Sequence, residues 1–303
     1  MERIETDMQR GLRKVRDSRM ERMHPVKSKK RAGFSFKKFI KSPKGIVFSL
    51  LTILSLIGLD YPNSSGGIRN IILAVVTGLF MDYVVAYLME RPVRFSDGAL
   101  VTGLIIGGIL SPATSWYLVM LTTVVALGFK HIFKDKRKPI FNPAAIGLLF
   151  SATVFAAGDS WWSGLSMLSP WTTVLLIVAG FIIADRINKF PLVFSFLAVY
   201  ILFFLVLGIL GVTGAGDALR MPYINSALFL AFFMLTDPPT SPAKYSEQVF
   251  FGFLAAVVSG AAFLYLSKLS YLLVGLLTAN AWKALQARRR QNRPVRRGRI
   301  NVN

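Results

Sequence analysis

Phe232–Pro242 reads FFMLTDPPTSP and follows INSALFLA, so an apolar run closes abruptly on a threonine, an aspartate and three prolines. Its apolar core, Ile224 to Leu235, is 12 residues long. At 1.5 Å per residue that is roughly 18 Å, against the about 30 Å of a bilayer core. A second 12-residue core, Ala99 to Leu110, repeats the plan. It opens on SDGAL (Ser96–Leu100) where the other opens on INSAL (Ile224–Leu228), and it closes on LSPATS where the other closes on LTDPPTS.

The rest of the chain supplies the frame for these two short cores. Of its 303 residues 53% are hydrophobic and the mean hydropathy is +0.52, with several apolar runs near or beyond the roughly 18 residues that mark membrane spans. Ten candidate segments stand out, at about 45–59, 70–89, 98–110, 114–129, 141–157, 171–184, 191–213, 222–236, 247–266 and 269–285. The short cores are the third and the eighth. Matching elements five helices apart predict a five-plus-five repeat, and because five is odd the second half is inverted in the membrane. The expected fold is therefore an all-α polytopic membrane protein of about ten transmembrane helices, with broken or short helices 3 and 8. Its halves are 45–157 and 171–285, between a basic tail at 1–44 and another at 286–303. Broken helices at equivalent places in inverted halves point to a site between the halves.

The net charge of +21 is concentrated in the tails. Residues 1–44 carry 15 Lys/Arg against 5 Asp/Glu, and residues 283–303 carry 8 Lys/Arg and no acid. Basic runs beside membrane spans hold the cytoplasmic side and touch anionic lipid, at about 1 kcal/mol per residue; this reading is preferred to nucleic-acid binding. With ten spans both tails share one side, whose loops hold Arg91, Arg94, Lys130, Lys134, Lys136, Arg137, Lys138, Arg186, Lys189 and Lys244. The other loops hold only Arg69, Arg220 and Lys268. Both termini are expected to be cytoplasmic, in the inner membrane of a bacterium. The first forty residues are too polar for a cleaved signal peptide. Cysteine is absent, which excludes disulfides and thiolate chemistry. The two histidines, His24 in a tail and His131 in the basic stretch KHIFKDKRKP, argue against a buried histidine-based metal or haem site.

Three acids and one asparagine carry the candidate chemistry. Asp82 lies in VVTGLFMDYVVAYLME, about halfway along segment 2, where an ionisable side chain is expensive unless paired or wetted. It reads either as a functional group on an ion pathway or as a hydrogen-bond partner of a broken helix. Asp97 precedes the first short helix and fits an N-terminal cap. Asp237 follows the second, where the helix dipole opposes an anion and another partner must offset it. Asn142 is a good N-cap ahead of Pro143, and Ala144, Ala145 and Gly147 allow close approach by another helix or by a planar ligand. No nucleophile, base and oxyanion set is visible, so hydrolysis is not expected.

Taken in order, MDYVVAYLMERPVRFSDGALVTGLIIGGILSPATSWYL, IFNPAAIGLLF and FFMLTDPPTSP resemble the RnfD/NqrB family, the membrane subunits of Rnf and sodium-translocating NADH:quinone oxidoreductase complexes. The likeness spans roughly residues 75–266. It implies a five-plus-five fold like that of urea-type channels and flavin cofactors, FMN or riboflavin, that pass electrons across the membrane, coupled in the large complexes to Na⁺ or H⁺. It also implies FMN attached to a threonine of an SGAT-like motif between segments 5 and 6. Here that loop, FAAGDSWWSGLSMLSPW, has no SGAT; its nearest match places Ser166 at the acceptor position, and this departure argues against covalent attachment. Trp161 and Trp162 beside it read as an interfacial belt or as rings that stack on a flavin.

Two functions from different classes follow. In the first, a flavin sits near the broken helices, held through Thr102, Asn142 or Thr236, and the partners are other membrane subunits of an electron transport complex or a separate extracytoplasmic flavoprotein. In the second, the same fold is a channel or secondary transporter with no redox role, and Asp82 and Asp237 bind a cation or proton.

Overall fold

A computed structural model describes residues 36–60, 65–92, 95–135, 138–166, 168–266 and 269–291. Among these residues, after a short helix, Phe36–Ile40, ten α-helices follow in the expected order. They are α1 (Pro43–Gly58), α2 (Ser65–Leu88), α3 (Asp97–Ile109), α4 (Trp116–Ile132) and α5 (Pro143–Val154), then α6 (Thr172–Ile187), α7 (Phe190–Ile209), α8 (Tyr223–Phe229), α9 (Tyr245–Phe263) and α10 (Tyr271–Gln291). Among the described residues the only strands are the two-residue pair Lys134–Asp135 and Lys138–Pro139. Helices α2, α7 and α9 are long and apolar enough to cross a membrane. Exposed Ile72, Val76 and Phe80 on α2, Leu202, Leu205 and Ile209 on α7, and Phe250 and Phe253 on α9 give them lipid-facing surfaces. The chain is an all-α polytopic membrane protein.

Helix pairings recur in the two halves. In the first, α2 packs on α4, α4 on α5 and α1 on α3; in the second, α7 packs on α9, α9 on α10 and α6 on α8. Across the halves α1 meets α6 and α5 meets α10, each its own counterpart. Small residues sit in matching register. Gly147 and Gly275 are each the fifth residue of their helices. A Cβ on Gly147 would lie 2.6 Å from the Thr122 carbonyl oxygen of α4, and one on Gly275 would lie 2.3 Å from the Ala255 carbonyl oxygen of α9. At Gly147, then, small size serves helix packing.

The short helices stop for local reasons, and both stops are held the same way. After Phe229, α8 widens into a π turn, Leu230–Met234, marked by the Leu235 N–H donating to the Leu230 carbonyl at 2.9 Å. Prolines 238 and 239 supply no N–H to continue it. The carbonyls freed by the break are then captured. Lys189, just before α7, donates to the Pro242 carbonyl, Lys283 to Pro239 at 2.6 Å and Asn280 to Thr240 at 3.1 Å. In the first half Arg69, early in α2, donates to the Pro112 and Thr114 carbonyls at 3.2 and 2.6 Å, and Asn70 to Ser111 at 2.9 Å. A basic side chain at the entrance of α2, or of its counterpart α7, thus secures each proline break.

The α5–α6 link differs from expectation. Trp161 and Trp162 are wholly buried and not at an interface. The exposed tryptophans at that end are Trp116 and Trp171, at the starts of α4 and α6, where an aromatic belt would put them.

Candidate functional site

Helices α1, α3 and α5 all begin, and α8 breaks, around one cavity of about 470 Å³ at the face where α10 ends. This is called the tail face below. Asp97, Gly98 and Thr102 of α3, Asn142 before α5, and Thr236 and Asp237 after the α8 break all line it. Five residues singled out in sequence, Thr102, Asn142, Thr236, Asp97 and Asp237, therefore share one cavity. Val47, Val101, Ile105 and Phe233 give it an apolar wall, and Lys44, Lys130 and Lys138 line it too. The volume falls within the about 300–1,000 Å³ usual for small-molecule sites.

Each polar residue is placed by a local device. Ser96, and not Asp97, caps α3: its Oγ accepts from the Ala99 N–H at 3.2 Å, and Asp97 is the first helical residue. Asn142 caps α5 as its sequence predicts, Oδ1 accepting from the Ala145 N–H at 3.2 Å while Nδ2 donates to the Met234 carbonyl at 3.3 Å. That second bond ties the α5 entrance to the α8 break. Thr236 donates back to the Phe232 carbonyl at 2.5 Å, which leaves its oxygen able to accept. Thr102 is different. Thr52, Thr122, Thr123 and Thr278 each donate to the carbonyl four residues earlier, but the side chain of Thr102, a residue only 7% exposed, makes no hydrogen bond among the described residues and lines the cavity.

Asp237 carries the unusual electrostatics. Its carbonyl organises the break, accepting from the Thr240 and Ser241 N–H groups at 3.1 and 2.9 Å, and its Oδ2 accepts from Thr240 Oγ1 at 2.9 Å. Although the side chain remains partly open to the cavity, the surrounding protein raises its pKa above the ordinary 3.8; Lys44, Lys283 and Lys189 act in the opposite sense. Among the described residues no ion pair joins it. Burial, and then repulsion from Lys283, pushes Lys189 down to about 8 from its ordinary 10.5. Between these values the unfolded chain holds a proton that the folded protein has released, so stability rises with pH from about 8 to 10.5. Asp237 has the opposite sign. Above pH 3.8 and up to its raised value the folded protein keeps a proton the unfolded chain has lost, and stability falls as pH rises. Melting in detergent against pH is expected to show the alkaline rise in the native protein and a flatter profile in Lys189→Met. An unchanged profile would show that Lys189 does not titrate there.

The remaining sequence candidates lie elsewhere. Asp82 does not sit alone in the middle of α2; it lies toward the tail-face end and is heavily engaged. Lys130 Nζ lies 2.6 Å from its Oδ2, His131 Nε2 lies 2.6 Å from its Oδ1, and Ser96 Oγ donates to Oδ2. Ser166 lies far from the cavity, on the opposite face. Its Oγ donates to the Ser160 and Trp161 carbonyls at 2.6 and 3.0 Å and is closed to solvent. The lysines around the cavity entered the sequence reading only as tail-side charges, because Lys44, Lys130 and Lys138 sit in three separate basic stretches.

The sequence of this chain has a match among known families. The NQR2, RnfD, RnfE family matches residues 37–171 and 159–285. The chain belongs to this family. Relatives within it include the ion-translocating oxidoreductase complex subunit RnfD of Citrobacter koseri, 23% identical over 269 residues covering 64% of this chain and 77% of that protein. The same subunit of Yersinia enterocolitica is 29% identical over 117 residues, 37% of this chain and 33% of its own. That of Aeromonas hydrophila is 32% identical over 110 residues, 35% and 31% respectively. With the latter two the likeness thus extends over about a third of each chain.

Proposed function

We propose that the chain is the membrane subunit of a flavin-dependent electron transport system and that the tail-face cavity holds the flavin, FMN or riboflavin, without a covalent bond. Thr102 carries the proposal. A hydroxyl with no partner among the described residues, on a residue only 7% exposed in the wall of a cavity with an apolar side and three lysines, suits a ligand with both a flat apolar body and hydrogen-bonding edges. When bound, a flavin would supply one- and two-electron chemistry. Thr102 and the oxygen of Thr236 would orient it, Val101, Ile105 and Phe233 would exclude water from its ring, and Asp237, with its raised pKa, would hold a proton beside it. The enclosed hydroxyl of Ser166 supports no phosphoester at that position. The basic tails and the distribution of loop lysines support cytoplasmic termini in a bacterial inner membrane, anionic lipid at the tails, and partners among the other subunits of the complex.

A second reading rests on Asp237 alone. A recessed carboxylate with raised pKa and no ion pair among the described residues also suits a proton or cation site, whether coupled to electron transfer or in a transporter. One preparation separates the readings. Protein co-expressed with its genomic neighbours is expected to purify with flavin absorbance near stoichiometry, and Thr102→Val to retain about tenfold less under the same wash, the weight of a buried hydrogen bond. Colourless protein that transports a cation in liposomes without reductant would overturn the flavin reading.

A further inference from the structure

The inverted repeat gives every element of the tail-face cavity a counterpart at the opposite face. The N-terminus of α3 corresponds to that of α8, the α5 entrance to the start of α10, the α8 break to the α3 break, and the start of α1 to the start of α6. At the opposite face these counterparts surround Gly158–Ser166, part of the α5–α6 link. Asn225, on α8, donates to the Leu165 carbonyl at 3.0 Å, and Gly164 lies against Phe229. Ser270, before α10, donates to Asp159 Oδ2 at 3.3 Å. At the α3 break, the Ser160 and Trp161 N–H groups donate to the Ile109 carbonyl at 2.8 and 3.1 Å, and the Ser111 N–H to the Gly158 carbonyl at 2.9 Å.

We propose that Gly158–Ser166 is a plug seated in a second ligand cavity, the symmetry mate of the tail-face one, and that this cavity's ligand class is a flat aromatic ring with an N–H donor. The plug itself supplies such a ring. The Trp162 indole lies where a Cβ on Gly58 or Gly67 would come within 3.1 or 2.6 Å of it, and its Nε1 donates to the Gly107 carbonyl at 2.9 Å. Two glycines flank a slot, and a carbonyl reads the N–H. The seating is also costly. Trp161 and Leu165 stand at φ 51° and 57°, left-handed values that side chains disfavour. The Ser160 and Ser163 hydroxyls are buried without a partner among the described residues, at about 1–3 kcal/mol each. Tight packing at Gly108 completes the picture, since even a methyl there would meet Ser163 Oγ at 2.0 Å. Such a segment is held in place by its neighbours and not by its own preferences.

The absence of cysteine makes the test direct. Ser226, wholly buried in α8 and next in the chain to the Asn225 that donates to Leu165 of the plug, is replaced by Cys in the full chain in sealed proteoliposomes, and its reaction with a membrane-impermeant maleimide from the opposite face is timed. The native plug should leave it unlabelled. Trp162→Gly should raise labelling at least tenfold, and added indole should restore protection by refilling the slot. Gly108→Ala, which forces Ser163 outward, should also raise labelling, and Ser163→Gly in the same chain should reverse it; this pair keeps the proposal testable where Trp162→Gly fails to fold. Labelling with the plug intact, or protection that survives both Gly108→Ala and Trp162→Gly in folded protein, would overturn the plug. Failure of indole to protect would overturn the ligand class.

Discussion

Asp82→Ala is expected to destabilise the protein by about 3 kcal/mol, and to do so by loosening the tail-face end of α3. One carboxylate there receives three partners from two other elements: Ser96 at the α3 cap, and Lys130 and His131 in the last turn of α4. Removing one member of a buried ion pair leaves the other charge without compensation, typically at about 3–5 kcal/mol. The side chains of Asp82 and Lys130 are 10% and 19% exposed, which puts the cost at the low end. Ser96 must also keep its oxygen aimed at the Ala99 N–H, and its own proton is fixed by Asp82. Asp82→Asn, which can still accept from Ser96, should recover part of the loss; thermal melting of the three proteins in detergent measures it. If Asp82→Ala melts with the native protein while ion-coupled activity disappears, the residue serves the ion pathway and not the helix.

Asp82 also shows which inferences a sequence supports. Its cost in an apolar segment marked it as paired or functional, but its partners lie 14, 48 and 49 residues away. Local pattern carries no such pairing. His131, placed in a basic loop by its neighbours in sequence, belongs instead to the last turn of α4 and faces α2. By contrast, the two short helices were readable because run length alone compares them with a bilayer, and the repeat was readable because their flanks match. Asp97, Thr102, Thr236 and Asp237 drew notice because they lie in or beside the two short helices and Asn142 because it caps α5; the fold brings all five to one cavity. The α5–α6 link joins the two halves, and its tryptophans look the same in sequence whether they face lipid or are buried.

The larger effect is expected from a single methyl group. In α3, a Cβ on Gly107 would fall 2.5 Å from the Ile71 Cα of α2 and 2.6 Å from its N, and one on Gly103 would fall 2.7 Å from the same atoms of Val75. These are backbone atoms that no rotamer change can move. The α2–α3 contact they permit sets the depth at which Thr102 and Asp97 face the cavity. Gly→Ala inside a helix ordinarily stabilises by about 0.5–1 kcal/mol, and Gly128→Ala on α4, with nothing within 4 Å of the new methyl, is expected to behave that way. Gly107→Ala should reverse the sign and exceed about 3 kcal/mol, the upper range for overpacking. It also disturbs the carbonyl that receives the Trp162 N–H. Folded yield after membrane extraction, read by gel filtration for both variants, should therefore move in opposite directions. Equal yields would mean that α2 and α3 separate without penalty, and that the cavity does not depend on their contact.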